Sequence, residues 1–157
     1  MPDVPNMKEK TLRYPGHIDL MRTFRESGFL SKEKIKTKNG EVAPLEIISA
    51  LLFKEWKYQK DEEDFTIMRV TIEGEENGKQ VKYVYTLFDR YDKETGVMSM
   101  ARTTGYTATA VTRLLLNKKY SRIGISPPEF LGEDEECLKA VVKDLEDRKV
   151  FYKKEFF

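Results

Sequence analysis

The stretch Phe65-Thr66-Ile67-Met68-Arg69-Val70-Thr71-Ile72-Glu73, continued by Gly74-Glu75-Glu76-Asn77-Gly78-Lys79-Gln80 and Val81-Lys82-Tyr83-Val84-Tyr85-Thr86-Leu87-Phe88-Asp89-Arg90-Tyr91, decides the fold class. Its first part alternates with period two. Met68, Val70 and Ile72 fall on one face, and Ile67, Arg69, Thr71 and Glu73 on the other, so it reads as a strand. Its last part is an equally strand-like run rich in Tyr, Val and Phe. Between them Asn77-Gly78 supplies the positive φ angles of a tight turn, and the whole predicts an antiparallel hairpin. The second strand has apolar side chains on both faces, which predicts that its middle is covered on both sides.

Helices flank this hairpin. Residues 1–11 read as an irregular lead-in, with Pro2 and Pro5 restricting their neighbours. Over 16–29, Ile18, Leu20, Met21 and Phe24 form a helical stripe, Arg22, Arg25 and Glu26 the wet side, and Gly28 the stop. Residues 31–42 are polar, with Asn39-Gly40 as a turn signal. A second helix starts near Pro44 and runs through Leu45, Ile48, Leu51, Leu52 and Trp56, and 57–64 is a charged connector. After the hairpin, Asp92-Lys93-Glu94-Thr95-Gly96 predicts a tight polar turn, and 97–100 a short strand with Met98 and Met100 on one buried face. A helix is expected from Thr103 or Thr104 to Asn117, with Ala108, Val111, Leu114 and Leu115 inward. Ser126-Pro127-Pro128 ends regular structure. A last helix over 133–149 buries Leu138, Val141, Val142 and Leu145, with Asp134, Glu135 and Glu136 at one end and Arg148 and Lys149 at the other, as the helix dipole favours. Residues 150–157 read as a strand. With no internal repeat, 1–157 reads as one α+β unit, a mixed or largely antiparallel sheet packed with about four helices.

Composition excludes several classes of function. Lys plus Arg number 28 against 27 Asp plus Glu, a net charge of +1, so the chain is not a polyelectrolyte or a dedicated nucleic-acid binder. The alternating Lys32, Lys34, Lys36 and Lys38 read as a solvated edge. Cys137 alone allows no disulfide framework, and with His17 as the sole histidine no Cys/His zinc cluster is possible. No stretch approaches the roughly 18 apolar residues of a membrane span, and the N-terminus lacks a secretory signal. A free thiol fits a reducing, cytoplasmic setting, and the balanced charge and the lack of an apolar span predict no nucleic-acid or membrane partner. No Gly-x-Gly-x-x-Gly or phosphate-cradling lysine is present, so no cofactor is expected on this chain.

Two constellations are candidates for a site. In Leu12-Arg13-Tyr14-Pro15-Gly16-His17 the Arg13 fork suits a carboxylate and Gly16 admits a close approach, although a structural turn with Arg13 paired internally explains the same residues. His17, near a helix start, lacks the partner that would identify an acid or base. The second runs from Asp89-Arg90-Tyr91-Asp92 through Met100-Ala101-Arg102-Thr103-Thr104-Gly105. There a helix N-terminus and Arg102 would together hold a carboxylate or phosphate, or form an ion-paired turn and an ordinary cap. No catalytic acid or base is identified.

These two motifs, with Glu94-Thr95-Gly96 and Gly124-Ile125-Ser126-Pro127-Pro128-Glu129, occur in the order that resembles the C-terminal region of the saccharopine dehydrogenase family. The resemblance is to the glutamate-forming, saccharopine reductase-like branch and its carboxynorspermidine dehydrogenase relatives, over about residues 11–157. It implies a substrate-binding and dimerising domain of an oxidoreductase of lysine metabolism, whose N-terminal Rossmann domain holds NAD or NADP. That Rossmann half is absent from the sequence, so an isolated domain or truncated member, inactive alone, is expected. Saccharopine carries three carboxylates around a secondary amine. The resemblance therefore implies Arg13 and Arg102 as clamps, with Thr103, Thr104 and Gly105 nearby and Tyr14, His17, Asp89, Arg90 and Tyr91 in support. A homodimer is expected from the strand with two apolar faces. Alternatives are a carboxynorspermidine dehydrogenase-like domain and a noncatalytic interaction or regulatory domain.

Overall fold

The structure, a computed structural model, describes residues 4–59 and 62–157. Residues 1–3, 60 and 61, with the parts of the lead-in and connector that fall on them, lie outside the described residues. The chain forms two compact units, residues 1–61 and 62–157.

The first unit contains α1 (His17–Glu26), β1 (Ile35–Thr37), β2 (Gly40–Val42) and α2 (Pro44–Trp56). Gly16 at φ 87° admits the chain to α1. The helix stops at Gly28 as expected. Gly28 N–H donates to the Arg25 carbonyl and Phe29 N–H to that of Phe24, while the Phe24 and Phe29 rings meet edge to face at 6.1 Å. These are the two bonds and the apolar contact of a Schellman stop. The polar stretch is a small antiparallel hairpin, its turn tied by Thr37 Oγ1 donating to the Gly40 carbonyl at 2.7 Å. Pro44 opens α2, where its missing N–H costs nothing. Among the unit's described residues only Ala43 is fully buried, and Leu51, Phe53 and Trp56 of α2 are exposed.

The second unit contains β3 (Phe65–Glu76), β4 (Lys79–Arg90), α3 (Ser99–Leu116), α4 (Pro128–Gly132), α5 (Glu135–Glu146) and β5 (Tyr152–Phe156). Its sheet has the order β3-β4-β5 and is antiparallel throughout, and the hairpin register runs unbroken from Phe65 opposite Arg90 to Glu76 opposite Lys79. The protein is thus α+β, with two antiparallel sheets and five helices among the described residues. Leu87 of β4, Ala110 and Leu114 of α3, Leu131 of α4, Cys137, Val141 and Leu145 of α5, and Val150 form the core. Burial pushes the Cys137 thiol pKa above its ordinary value.

Several local readings are corrected. Residues 97–100 are not a strand: only a single bridge joins Val97 to Asp92, and α3 begins at Ser99, leaving Met100 exposed. The buried side of α3 carries Ser99, Arg102, Ala110 and Leu114, whereas Ala108 and Leu115, both expected inward, are exposed because at 100° per residue they fall on the other side of the helix; in α5 Leu138, also expected inward, is exposed. Pro128 does not end structure but starts α4 as its first helical residue.

Candidate functional site

The second candidate constellation gathers where the end of β4, the following turn, the start of α3 and the end of α5 meet. Asp92 shapes the turn. Its carboxylate accepts from Glu94 N–H at 3.0 Å and from Thr95 Oγ1 at 2.9 Å, and Gly96, at φ 69°, closes the loop through its N–H to the Asp92 carbonyl. The Thr95 hydroxyl, helped by Glu94 N–H and by the charges of Arg102 and Lys149, holds the Asp92 carboxyl below the usual range against the opposing effect of desolvation.

Arg102 is 4% exposed and lies at the centre. Its Nε donates to both Asp89 carboxylate oxygens at 3.3 and 3.2 Å, and its Nη1 to Asp92 Oδ2 at 2.8 Å. Its Nη2 donates to Asp89 Oδ1 at 3.3 Å and to the carbonyls of Arg148 and Lys149 at 3.2 Å each. Those carbonyls are exposed by the end of α5, where Lys149 turns left-handed at φ 62° and Val150 N–H returns to the Leu145 carbonyl. A guanidinium at a helix C-terminus is electrostatically matched.

The open carboxylate clamp expected at Arg102 is therefore corrected: its fork is filled by Asp89 and Asp92, and all three nitrogens have acceptors within the fold. The helix start behaves in the same way. Asp64 accepts from Ser99 N–H at 2.6 Å and Met100 N–H at 2.9 Å, so the anion held by these backbone donors is the protein's own. Thr103 Oγ1 donates to the Ser99 carbonyl at 3.0 Å, and Thr104 Oγ1 to Met100 Sδ at 3.7 Å. Around Gly105 a Cβ would meet nothing within 4 Å. Thr104 is exposed, with Ala101 and Ala108 on either side along the same helix. Tyr91 N–H donates to the Asp64 carbonyl, and Arg90 lies over the Phe88 ring at 4.9 Å. Asp89, Arg90 and Tyr91 thus brace this part of the unit.

Arg13, Tyr14 and His17 belong to the first unit, at the entry to α1. Arg13 is exposed and Nη1 donates to the Leu12 carbonyl at 2.8 Å, Tyr14 is exposed, and His17 N–H donates to the Tyr14 carbonyl. The participant that sequence reasoning missed is Asp64. Its one signal is an acid just before β3 that no local partner explains.

An α+β module braced by an internal arginine and its acids is the class that the fold and this cluster define. The family described as Saccharopine dehydrogenase C-terminal domain matches residues 1–150, across both units, and the chain belongs to that family.

Proposed function

We propose that the chain is the substrate-binding and dimerising domain of an NAD(P)-dependent saccharopine dehydrogenase-like oxidoreductase. A Rossmann domain elsewhere in the functional protein would hold the oxidised nicotinamide, which would supply the hydride acceptor for oxidation of the secondary amine of saccharopine to an imine. Water then adds to the imine, releasing glutamate and 2-aminoadipate semialdehyde, or the reaction runs in reverse. The protein works in the cytoplasm. The observation that carries this reading is the family match over residues 1–150.

The engagement of Arg102 by Asp89 and Asp92 supports Arg13, an exposed arginine whose Nη1 donates to the neighbouring Leu12 carbonyl, as the one of the two expected clamps that meets a substrate carboxylate. On α3 Thr104 is exposed and the half-buried Gly105 beside it leaves open space where a ligand can approach closely. The test is steady-state kinetics of the protein with its Rossmann domain, using saccharopine and carboxynorspermidine. Arg13→Ala is expected to reduce kcat/KM for saccharopine by roughly tenfold or more, the effect of losing one charged hydrogen bond. Faster turnover of carboxynorspermidine would overturn the substrate, and activity on neither would favour a noncatalytic domain. Calorimetric titration of the isolated chain with NAD or NADP is expected to give no specific binding.

A further inference from the structure

We propose that the free edge of β3 is the surface on which two copies of this chain associate, joining their sheets antiparallel about a two-fold axis at Thr71. This rests on the dimerisation proposed above and names where it occurs.

The backbone bonds fix which groups the edge offers. Lys82 and Phe157 exchange both of their bonds, N–H to carbonyl, at 3.0 and 2.9 Å, so Lys82, Val84 and Thr86 of β4 turn their polar groups toward β5. Val81, Tyr83, Tyr85 and Leu87 then face β3, where the register gives them Gly74, Ile72, Val70 and Met68. Ile67, Arg69, Thr71 and Glu73 are left pointing outward. Among the described residues no other strand pairs with them.

The two edges of the sheet differ. The β5 edge is five residues long and carries Lys153, Lys154 and Glu155, the short charged form that discourages pairing. The β3 edge is 12 residues long, holds no proline, and leaves Ile67, Met68, Val70 and Ile72 exposed. It is also self-complementary. With Thr71 opposite Thr71 of a second copy, each Arg69 lies opposite Glu73 of the other, and Val70 opposite Ile72 on the reverse face. Arg69 forms no ion pair among the described residues, whereas Glu73 already neighbours Lys82 at 2.7 Å. A two-fold axis at Arg69 would instead set arginine against arginine.

Sedimentation equilibrium of the 157-residue chain tests this, with circular dichroism confirming that each variant is folded. The wild type is expected to be a dimer, and Arg69→Glu to weaken self-association roughly tenfold or more by turning both cross-strand pairs repulsive. Adding Glu73→Arg to Arg69→Glu should restore it. Thr71→Pro removes an outward N–H that β4 does not use, and is expected to abolish the dimer. Should that variant fail to fold, the charge exchange decides alone. A dimer indifferent to Arg69→Glu and its exchange overturns the β3 edge while leaving dimerisation intact. A monomer throughout the high-micromolar range overturns both.

Discussion

Arg102 converts a charge into an interior residue, and the cost of desolvating it is offset only while every acceptor stays in place. Arg102→Ala would strand Asp89, which is 7% exposed, so a loss of about 3–5 kcal/mol in urea unfolding is expected. Arg102→Met combined with Asp89→Leu should lose less than Arg102→Ala alone, because no charge is left without its partner. Asp92 adds a dependence on pH. Its carboxyl titrates below the ordinary range in the fold, so its stabilisation is complete above the unfolded value, near pH 4, and is lost as pH falls through the lower folded value. Thermal unfolding followed from pH 6 to pH 2 should therefore show a steeper acid loss in the wild type than in Asp92→Asn. Arg102 and Asp89 were legible as a pair of chemically apt residues. An ion-paired turn was legible only as one of two readings beside a ligand clamp, because partners 13 positions apart across a turn leave no periodic mark, and the contribution of the Arg148 and Lys149 carbonyls depends on the end of α5.

The helices and strands show which signals are local. Gly28 was readable as a stop because glycine favours the left-handed geometry it adopts. The same pattern of bonds ends α3 and α5 with Lys118 at φ 55° and Lys149 at φ 62°, where nothing in a lysine announces the turn. Likewise α3 starts about four residues before the position its own sequence indicates, since Asp64, whose carboxylate accepts from its first N–H groups, is 35 positions from Ser99. The hairpin and α2 were legible because alternation, Asn77-Gly78 and Pro44 act within a few residues. In α3, Gly105→Ala fills open space and removes the conformational penalty of glycine. A gain of about 0.5–1 kcal/mol, seen as a raised melting temperature of the chain, is expected. Loss of turnover from the same substitution in the protein with its Rossmann domain would set this part of α3 against substrate or another domain.

The two units differ in how much they bury. The second has a continuous core from Leu87 to Val150, whereas the first fully buries only Ala43 among its described residues. Hydrogen exchange of the whole chain should therefore protect amides of β4, α3 and α5 more than those of α1 and α2. The expected ratio is roughly a hundredfold, the factor given by about 3 kcal/mol of additional local stability. Equal protection of the two sets would refute the difference. Composition does not mark the division near residue 61, because the connector is charged and short and lacks the Gly, Pro and Ser content by which linkers are recognised. The family match nonetheless runs across it, covering residues of both units.

The carbonyls that hold Arg102 and the strand that closes the sheet both lie within residues 148–156. A ribosome makes the chain from its N-terminus, so β3, β4 and α3 emerge while that closing segment is still unsynthesised. Arg102 can already meet Asp89 and Asp92, but the side of β4 that later receives β5 stays open until residues 152–156 have followed. Translation thus sets an interval during which the nascent hairpin presents one open edge of β4, the kind of edge on which chains aggregate.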